Sequence, residues 1–323
     1  MKAKKAMKSL MILLAATIWI FGFASNQVQA AYPDKPITFI VPFGAGGGFD
    51  TLARALTTRL EKELGVAFAV KNEGGAGGRR GSISLYKSKP DGYTIGFAHF
   101  VSLQTDEVLL KKKSPINYKN FKIVLKVSHS RHYLYVNKKS PFMTITDFKK
   151  AGRTIKFSGT GVGAITWIEA QAVGTEVGFP SKVVTGYKSL AEAALATARG
   201  EVDASLGSYH HFHGVINDLR PLVYLSKTRW HGLPDVPTIV ELGYPRLSVL
   251  GSPRVVTAPP DTPEDRLEVI RNALVKILNS QEFKAWAKEA GYSLDPMGPS
   301  ELWENLEINS DIYRALEPLL QTK

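Results

Sequence analysis

The 323-residue chain contains no cysteine. That absence excludes a disulfide scaffold, a thiolate metal site, a cysteine nucleophile and a lipidation site of the bacterial lipoprotein kind. Long apolar runs are scarce as well. The most extended, Leu10 to Phe23, is short for a stable membrane span. No Gly-x-Ser-x-Gly elbow and no Gly-Lys-Ser/Thr after a glycine loop occur, so neither a serine hydrolase nor a P-loop is indicated. Low-complexity tracts are missing, and acids are outnumbered, 29 against 41 Lys and Arg.

The first thirty residues have the form of a secretory leader. Lys2, Lys4, Lys5 and Lys8 make a basic start, the short apolar core follows, and Val28-Gln29-Ala30 is a small-x-small cleavage site. Removing this leader takes away four lysines and no acid, so the formal charge falls from +12 to +8. A basic surface suits small anions or an acidic partner. The lysines are scattered apart from Lys111-Lys112-Lys113, which does not indicate nucleic acid.

The most informative segments are two glycine-rich loops. Residues 37–50 read Ile-Thr-Phe-Ile-Val-Pro-Phe-Gly-Ala-Gly-Gly-Gly-Phe-Asp. The β-branched start predicts a buried strand ended by Pro42. Asp50 is a good N-cap, and Leu52, Ala53, Leu56, Leu60 and Leu64 form one apolar helical face that Gly65 stops. The plan repeats from Val66 through Asn72-Glu73-Gly74-Gly75-Ala76-Gly77-Gly78 to a helix from about Arg79. In a parallel sheet both loops lie on one side, where backbone N–H groups can hold an anion. A dinucleotide fingerprint fits less well. Only Gly44 and Gly46 fall on its glycine positions, with Phe49 on the third, and Lys71-Asn72 stands where an acidic ribose partner belongs.

Further along, strands are predicted near 93–98, 123–127, 133–136, 154–157, 182–185 and 202–206. Helices are predicted near 79–88, 164–177, 189–199, 263–279, 281–290 and 299–318. Residues 158–163 form a third glycine-rich loop. Two α/β blocks followed by a helical tail imply two lobes around a cleft.

The ordered landmarks resemble a known family. They run from Tyr32-Pro33-Asp34-Lys35-Pro36 through the two glycine loops and Pro90-Asp91-Gly92-Tyr93-Thr94 to Gly200-Glu201-Val202-Asp203. Leu233-Pro234-Asp235-Val236-Pro237-Thr238 and Ala258-Pro259-Pro260-Asp261-Thr262-Pro263 complete them. The chain is similar to the periplasmic solute receptors of tripartite tricarboxylate transporters, the Bug receptors. The resemblance implies an α/β fold of the periplasmic-binding-protein type II, or flytrap, class, each lobe a mixed sheet flanked by helices. It divides the chain into a leader over 1–30, a first lobe over 31–131 plus 253–323, and a second lobe over 132–252. It implies a small carboxylate ligand, delivery to membrane permease subunits, a soluble periplasmic location and a monomer, with no enzyme activity, no cofactor and no metal.

The resemblance assigns the anion grip to Phe43, Gly44, Ala45, Gly46, Gly47 and Gly48 of the first loop, with Gly75, Ala76, Gly77 and Gly78 of the second; Asp50 and Arg79 beside them are further ligand candidates. It gives ligand selection to the loop Gly159 to Thr166, with Thr160, Gly163, Ala164 and Thr166, to the turn Tyr187-Lys188-Ser189, and to Gly207, Ser208 and Tyr209; Trp167, next to that loop, is a further candidate. His99, after the third strand, is a further ligand candidate. Arg79 either pairs with a carboxylate or stands exposed at a helix start. Trp167 either stacks on a ligand ring or fills core.

Departures from the family pattern bear on the ligand. Ala164 and Trp167 stand where the family commonly has a serine and a histidine, and Arg79 replaces an asparagine. With Phe43, Phe100 and Tyr209 expected near the same cleft, the substitutions favour an aromatic or apolar carboxylate over citrate, aspartate or glutamate. His210, His211 and His213 lack the spacing of a metal site. The alternative functions are an extracytoplasmic sensor feeding a membrane kinase and a secreted α/β enzyme. Co-purification with a sensor or turnover of a bound ligand separates them.

Overall fold

The computed structural model describes residues 32–187 and 189–320. The leader expected over 1–30, Lys188, and the side chains of His210, His211, His213 and Leu320 lie outside the described residues. In chain order the elements begin with β1 (Ile37–Val41), α1 (Gly48–Leu64), β2 (Phe68–Asn72), α2 (Arg79–Tyr86), β3 (Thr94–Ala98) and α3 (Phe100–Gln104). There follow β4 (Lys122–Ser130), β5 (Tyr133–Asn137), α4 (Asp147–Lys150), β6 (Ile155–Ser158), α5 (Ile165–Val177), β7 (Ser181–Val184), α6 (Leu190–Ala198) and β8 (Ala204–Gly207). The chain continues with β9 (Leu219–Tyr224), β10 (Ser252–Ala258), α7 (Glu264–Asn279), α8 (Gln281–Glu289), β11 (Leu294–Met297) and α9 (Pro299–Leu316). Among the described residues no helix is long and apolar enough to cross a membrane.

Two mixed sheets result. One has six strands in the order β11-β4-β10-β3-β1-β2, the other five in the order β7-β6-β8-β5-β9. In the first, β1 pairs in parallel with β2 and β3, which places the loops after β1 and β2 side by side. β1 is central because its side chains are apolar on both faces: Ile37, Phe39, Ile40 and Val41 are all buried. The α1 face of Leu52, Ala53, Leu56 and Leu60 packs inward, and Gly65 ends the helix at φ +72 with its N–H on the Glu61 carbonyl.

The helix begins at Gly48, two residues before the expected cap, and Asp50 sits inside its first turn. Three strands go beyond the sequence reading, and each carries a proline. Pro221 lies in β9 and Pro296 in β11, both at sheet edges where no ladder donor is needed. Pro253 lies near the start of β10, a strand seated between β4 and β3.

The chain passes between sheets at Arg131–His132 and again at Leu250–Gly251, and the two crossings lie together because Ser252 pairs with Ser130. Asp295 of β11 braces the first, bonding Lys126 Nζ at 2.8 Å and an Arg131 guanidinium nitrogen at 2.7 Å. Helix α9 joins the sheets a third time. Its Leu302 and Leu306 belong to a core with Ile123, Val255 and Met297, whereas Ile312, Tyr313 and Leu316 belong to one with Trp167, Ile168 and Val173.

Candidate functional site

The first loop is closed by its own side chains. Asp50 Oδ2 accepts from the Gly46 N–H at 2.9 Å and from Arg54 Nε at 3.0 Å. Asn72, at the end of β2, donates to Asp50 Oδ1 and to the Phe43 carbonyl, both at 3.0 Å. Burial alone raises a carboxyl pKa, but the bonds from Arg54, Gly46 and Asn72 prevail and hold Asp50 below its ordinary value. Asn72 therefore ties the two glycine loops into one unit, and Asp50 serves that unit rather than the cleft.

The second loop turns through a run of left-handed residues: Ala76, Gly77 and Gly78 have φ of 48°, 62° and 88°. Gly78 also has no room for a side chain. A Cβ there would stand 2.9 Å from the Phe43 ring and from His99 Cβ.

A cleft of about 610 Å³ opens beside both loops. Phe43, Gly47, Gly48, Gly77, Arg79 and His99 line one side, and Gly163 and Ala164 line the other. A cavity of about 240 Å³ adjoins it, sharing Gly48, Ser130 and Arg254 with the larger space. Ser208 and Tyr209 line this smaller cavity.

The other candidates lie elsewhere. Gly44, Ala45, Gly46, Gly75 and Ala76 are exposed on the loops without lining either cavity, and Gly78 is buried behind them. Thr160 and Tyr187 line neither. Thr166 is buried, and Gly207 lies under the Phe212 ring. Trp167 fills core with Ile168 and Val173, the second of the two readings its sequence position left open. Phe100 is also in the core, not at the cleft, because it packs beneath β3 against Tyr118 and Phe121.

Arg79 is already paired. Its Nη2 donates to Asp106 Oδ1 at 2.8 Å, and its Nε bonds the same carboxylate. His99 is held neutral. Burial, with the charges of Arg79 and Arg254, pushes its pKa to about 4, against the opposing Gly77 carbonyl. Its Nδ1 lies 3.0 Å from Ser102 Oγ, and its Nε2 lies 3.4 Å from Ser252 Oγ.

Sequence reasoning missed the crossing residues. Ser130 and His132 line the larger cleft, and Ser130 and Arg131 the smaller cavity. The one available signal was the polar run Ser128-His129-Ser130-Arg131-His132 interrupting an apolar strand pattern. Arg254 carried no such signal. It lies in β10, its guanidinium carbon 5.1 Å from the Phe49 ring centroid and 5.3 Å from that of Tyr292. The smaller cavity is walled by aromatic rings: Tyr133 and Tyr224 stack at 4.2 Å, with Trp230 and Tyr292 alongside. Among the described residues no Asp or Glu lines either cavity, whereas Arg79, Lys112, Arg131 and Arg254 do. Such a space favours anions.

Known proteins share this architecture. The family profile described as the tripartite tricarboxylate transporter family receptor matches residues 52–302. A UPF0065 protein of Agrobacterium vitis is 30% identical over 271 residues, 81% of this chain and 76% of that protein. The fold resembles a Polaromonas TctC solute binding protein solved without ligand, at TM-score 0.77 and 24% identity, covering 88% of this chain and 98% of that one. It also resembles an R. palustris protein solved with adipate, at TM-score 0.69 and 23% identity, covering 88% of this chain and 97% of that one. The fold is thus α/β, of the periplasmic-binding-protein kind.

Proposed function

The chain belongs to the tripartite tricarboxylate transporter family of receptors, and from that premise we propose that it captures a small carboxylate in the periplasm and delivers it to the permease subunits of a tripartite transporter. The observation that carries the anion reading is the acid-free cleft: cationic side chains enter its walls, and two glycine loops from adjacent parallel strands border it. Its volume is in the ordinary range for small-molecule sites. The R. palustris protein of similar fold was solved with adipate, a small acid of this kind. The leader at residues 1–30 supports the periplasmic location. The two sheets then act as the two lobes, with the first-lobe residues 31–131 and 253–323 gripping the anion and residues 132–252 selecting the rest of the molecule.

An aromatic acid is the preferred ligand in this reading. Trp167 and Phe100 do not supply the aromatic wall, but Tyr133, Tyr224, Trp230 and Tyr292 do. Flat rings gain from stacking on such faces, whereas hydroxyls buried without partners cost about 1–3 kcal/mol each.

The test is mass spectrometry of whatever small molecule leaves the purified protein on denaturation, followed by a thermal-shift panel of aromatic acids, adipate, malate, citrate and glutamate. An acid released from the protein, with stabilisation by aromatic acids, is expected. Stabilisation by citrate or glutamate alone would remove the aromatic preference. A neutral or cationic molecule in the site would remove the carboxylate reading itself.

A further inference from the structure

Arg254 is the least satisfied cation at the cleft. Its Nε is buried without a hydrogen-bond partner among the described residues. No carboxylate pairs with it there, in contrast to Arg79 and Arg131, which are held by Asp106 and Asp295. What holds it are ring faces. Phe49 and Tyr292 lie on either hand, and Tyr292 is fixed in turn by donating its hydroxyl to the Gly48 carbonyl at 2.9 Å. Burial also lowers its pKa, to about 10, which still leaves it fully charged at neutral pH. The guanidinium presses against Gly48, where a Cβ would stand 3.1 Å from its Nη2. Gly48 and Arg254, together with Ser130, form the wall common to both cavities.

A guanidinium presents a planar fork of donors that matches a carboxylate. Ring stacking holds it in place but leaves the buried Nε–H unused. We propose that Arg254 is the specificity-determining anchor of this receptor, binding the ligand carboxylate at the junction of the two cavities. The inference rests on the carboxylate reading given above and adds to it a residue and a place. The charged end sits between the glycine loop and the crossing strands. The body of the ligand extends from there into the larger cleft or between the rings of Tyr133, Tyr224 and Trp230. Loss of the fork removes the preference for a charged ligand, whereas loss of a purely structural arginine weakens charged and neutral ligands alike.

Calorimetric titration with two acids and their uncharged counterparts tests this: adipate against adipamide, and phenylacetate against phenylacetamide. The wild-type protein, stripped of bound ligand by unfolding and refolding, is compared with Arg254→Met and Arg254→Lys. Two charge-assisted hydrogen bonds correspond to about a 100-fold preference for the acid in the wild type. Arg254→Met should reduce that preference to about threefold or less, and Arg254→Lys, which keeps the charge without the fork, should retain about tenfold. Near-UV circular dichroism checks that each variant is folded, and the Lys variant carries the test if the Met variant is not. An acid preference in Arg254→Met, or in Arg254→Lys if that variant carries the test, equal to that of the wild type overturns the proposal. If neither acid binds the wild type and the molecule released from it is uncharged, the carboxylate reading has failed, and this inference falls with it.

Discussion

His132 Nδ1 stands 2.7 Å from Glu169 Oε2, with both side chains buried. His132 belongs to the first crossing between the sheets and lines the cleft, whereas Glu169 lies on α5 of the second sheet. The pair therefore fastens the crossing to one lobe. Removing the carboxylate takes away a buried hydrogen bond to the imidazole, at a cost of about 1–3 kcal/mol. Glu169→Ala should lower the unfolding free energy by that order in urea titrations, and Glu169→Gln, which retains an acceptor for the imidazole, by less. A loss below about 1 kcal/mol, the size of an exposed pair, would show that the contact adds little.

The second glycine loop should be sensitive to side chains in a way the first loop's tip is not. Gly77 has φ +62°, a conformation that strains a β-branched residue by about 1–3 kcal/mol. Gly44 has open space around it and no such φ. Gly77→Val is expected to keep the fold, because the loop is exposed, but to lose binding of whichever acid binds the wild type. Gly44→Ala should bind it nearly as well as the wild type. Calorimetry on both variants, with circular dichroism as the control for folding, checks the contrast. Equal binding by Gly77→Val would place the ligand away from this loop.

The fold was legible where local pattern and tertiary role agree. Ile37 to Val41 is apolar on both faces and becomes a central parallel strand; the glycine loops and the helices behind them follow from the same stretch. Legibility failed where proline sits in a strand, as at Pro221, Pro253 and Pro296, because edge position or strand start, not local propensity, decides whether a strand forms. The site was half legible for a related reason. Loop glycines announce themselves, but Arg254 is brought to the cleft by a strand that returns from the far end of the chain. Trp167 shows the converse. A large ring next to a cleft-lining Ala164 turns inward, because α5 is buried nearly all round and takes it into core.

Stability should fall on mild acidification. Burial lowers the pKa of His99 to about 4, and it holds His129 well below the usual histidine range, with the charges of Arg131, Lys126 and Arg254 acting in the same direction. In the unfolded chain both titrate near pH 6.5. Between about pH 6.5 and 4 the unfolded state therefore binds more protons, so stability rises with pH across that window and is complete above it. Each histidine contributes a slope of up to about 1.4 kcal/mol per pH unit. Urea unfolding at pH 7.5 and pH 5 should show the loss, and His99→Gln should remove part of it. A flat profile over this range would mean that neither ring is held neutral by its surroundings.

Ligand binding should bring the lobes together around the crossings. The crossings at Arg131–His132 and Leu250–Gly251 are adjacent, joined through the Ser130–Ser252 pair, and can flex as one hinge. A free two-strand hinge is not what the chain has, however. Val108 and Leu109, together with Ile312, Tyr313 and Leu316 of α9, lie in the core of the second sheet, while Leu302 and Leu306 of the same helix lie in that of the first. The side carrying α9 should thus stay packed, and the glycine-loop side should close toward Gly163 and Ala164. A ligand favours the closed form only by touching both sides. Small-angle scattering before and after adding a bound acid should show a smaller radius of gyration, after any retained ligand has been removed by unfolding and refolding. Tyr313→Ala, which empties part of the shared core, should lower stability by about 3–5 kcal/mol and leave that change in radius in place. An unchanged radius in the wild type with saturating ligand would rule closure out and leave a cleft already formed in the free protein.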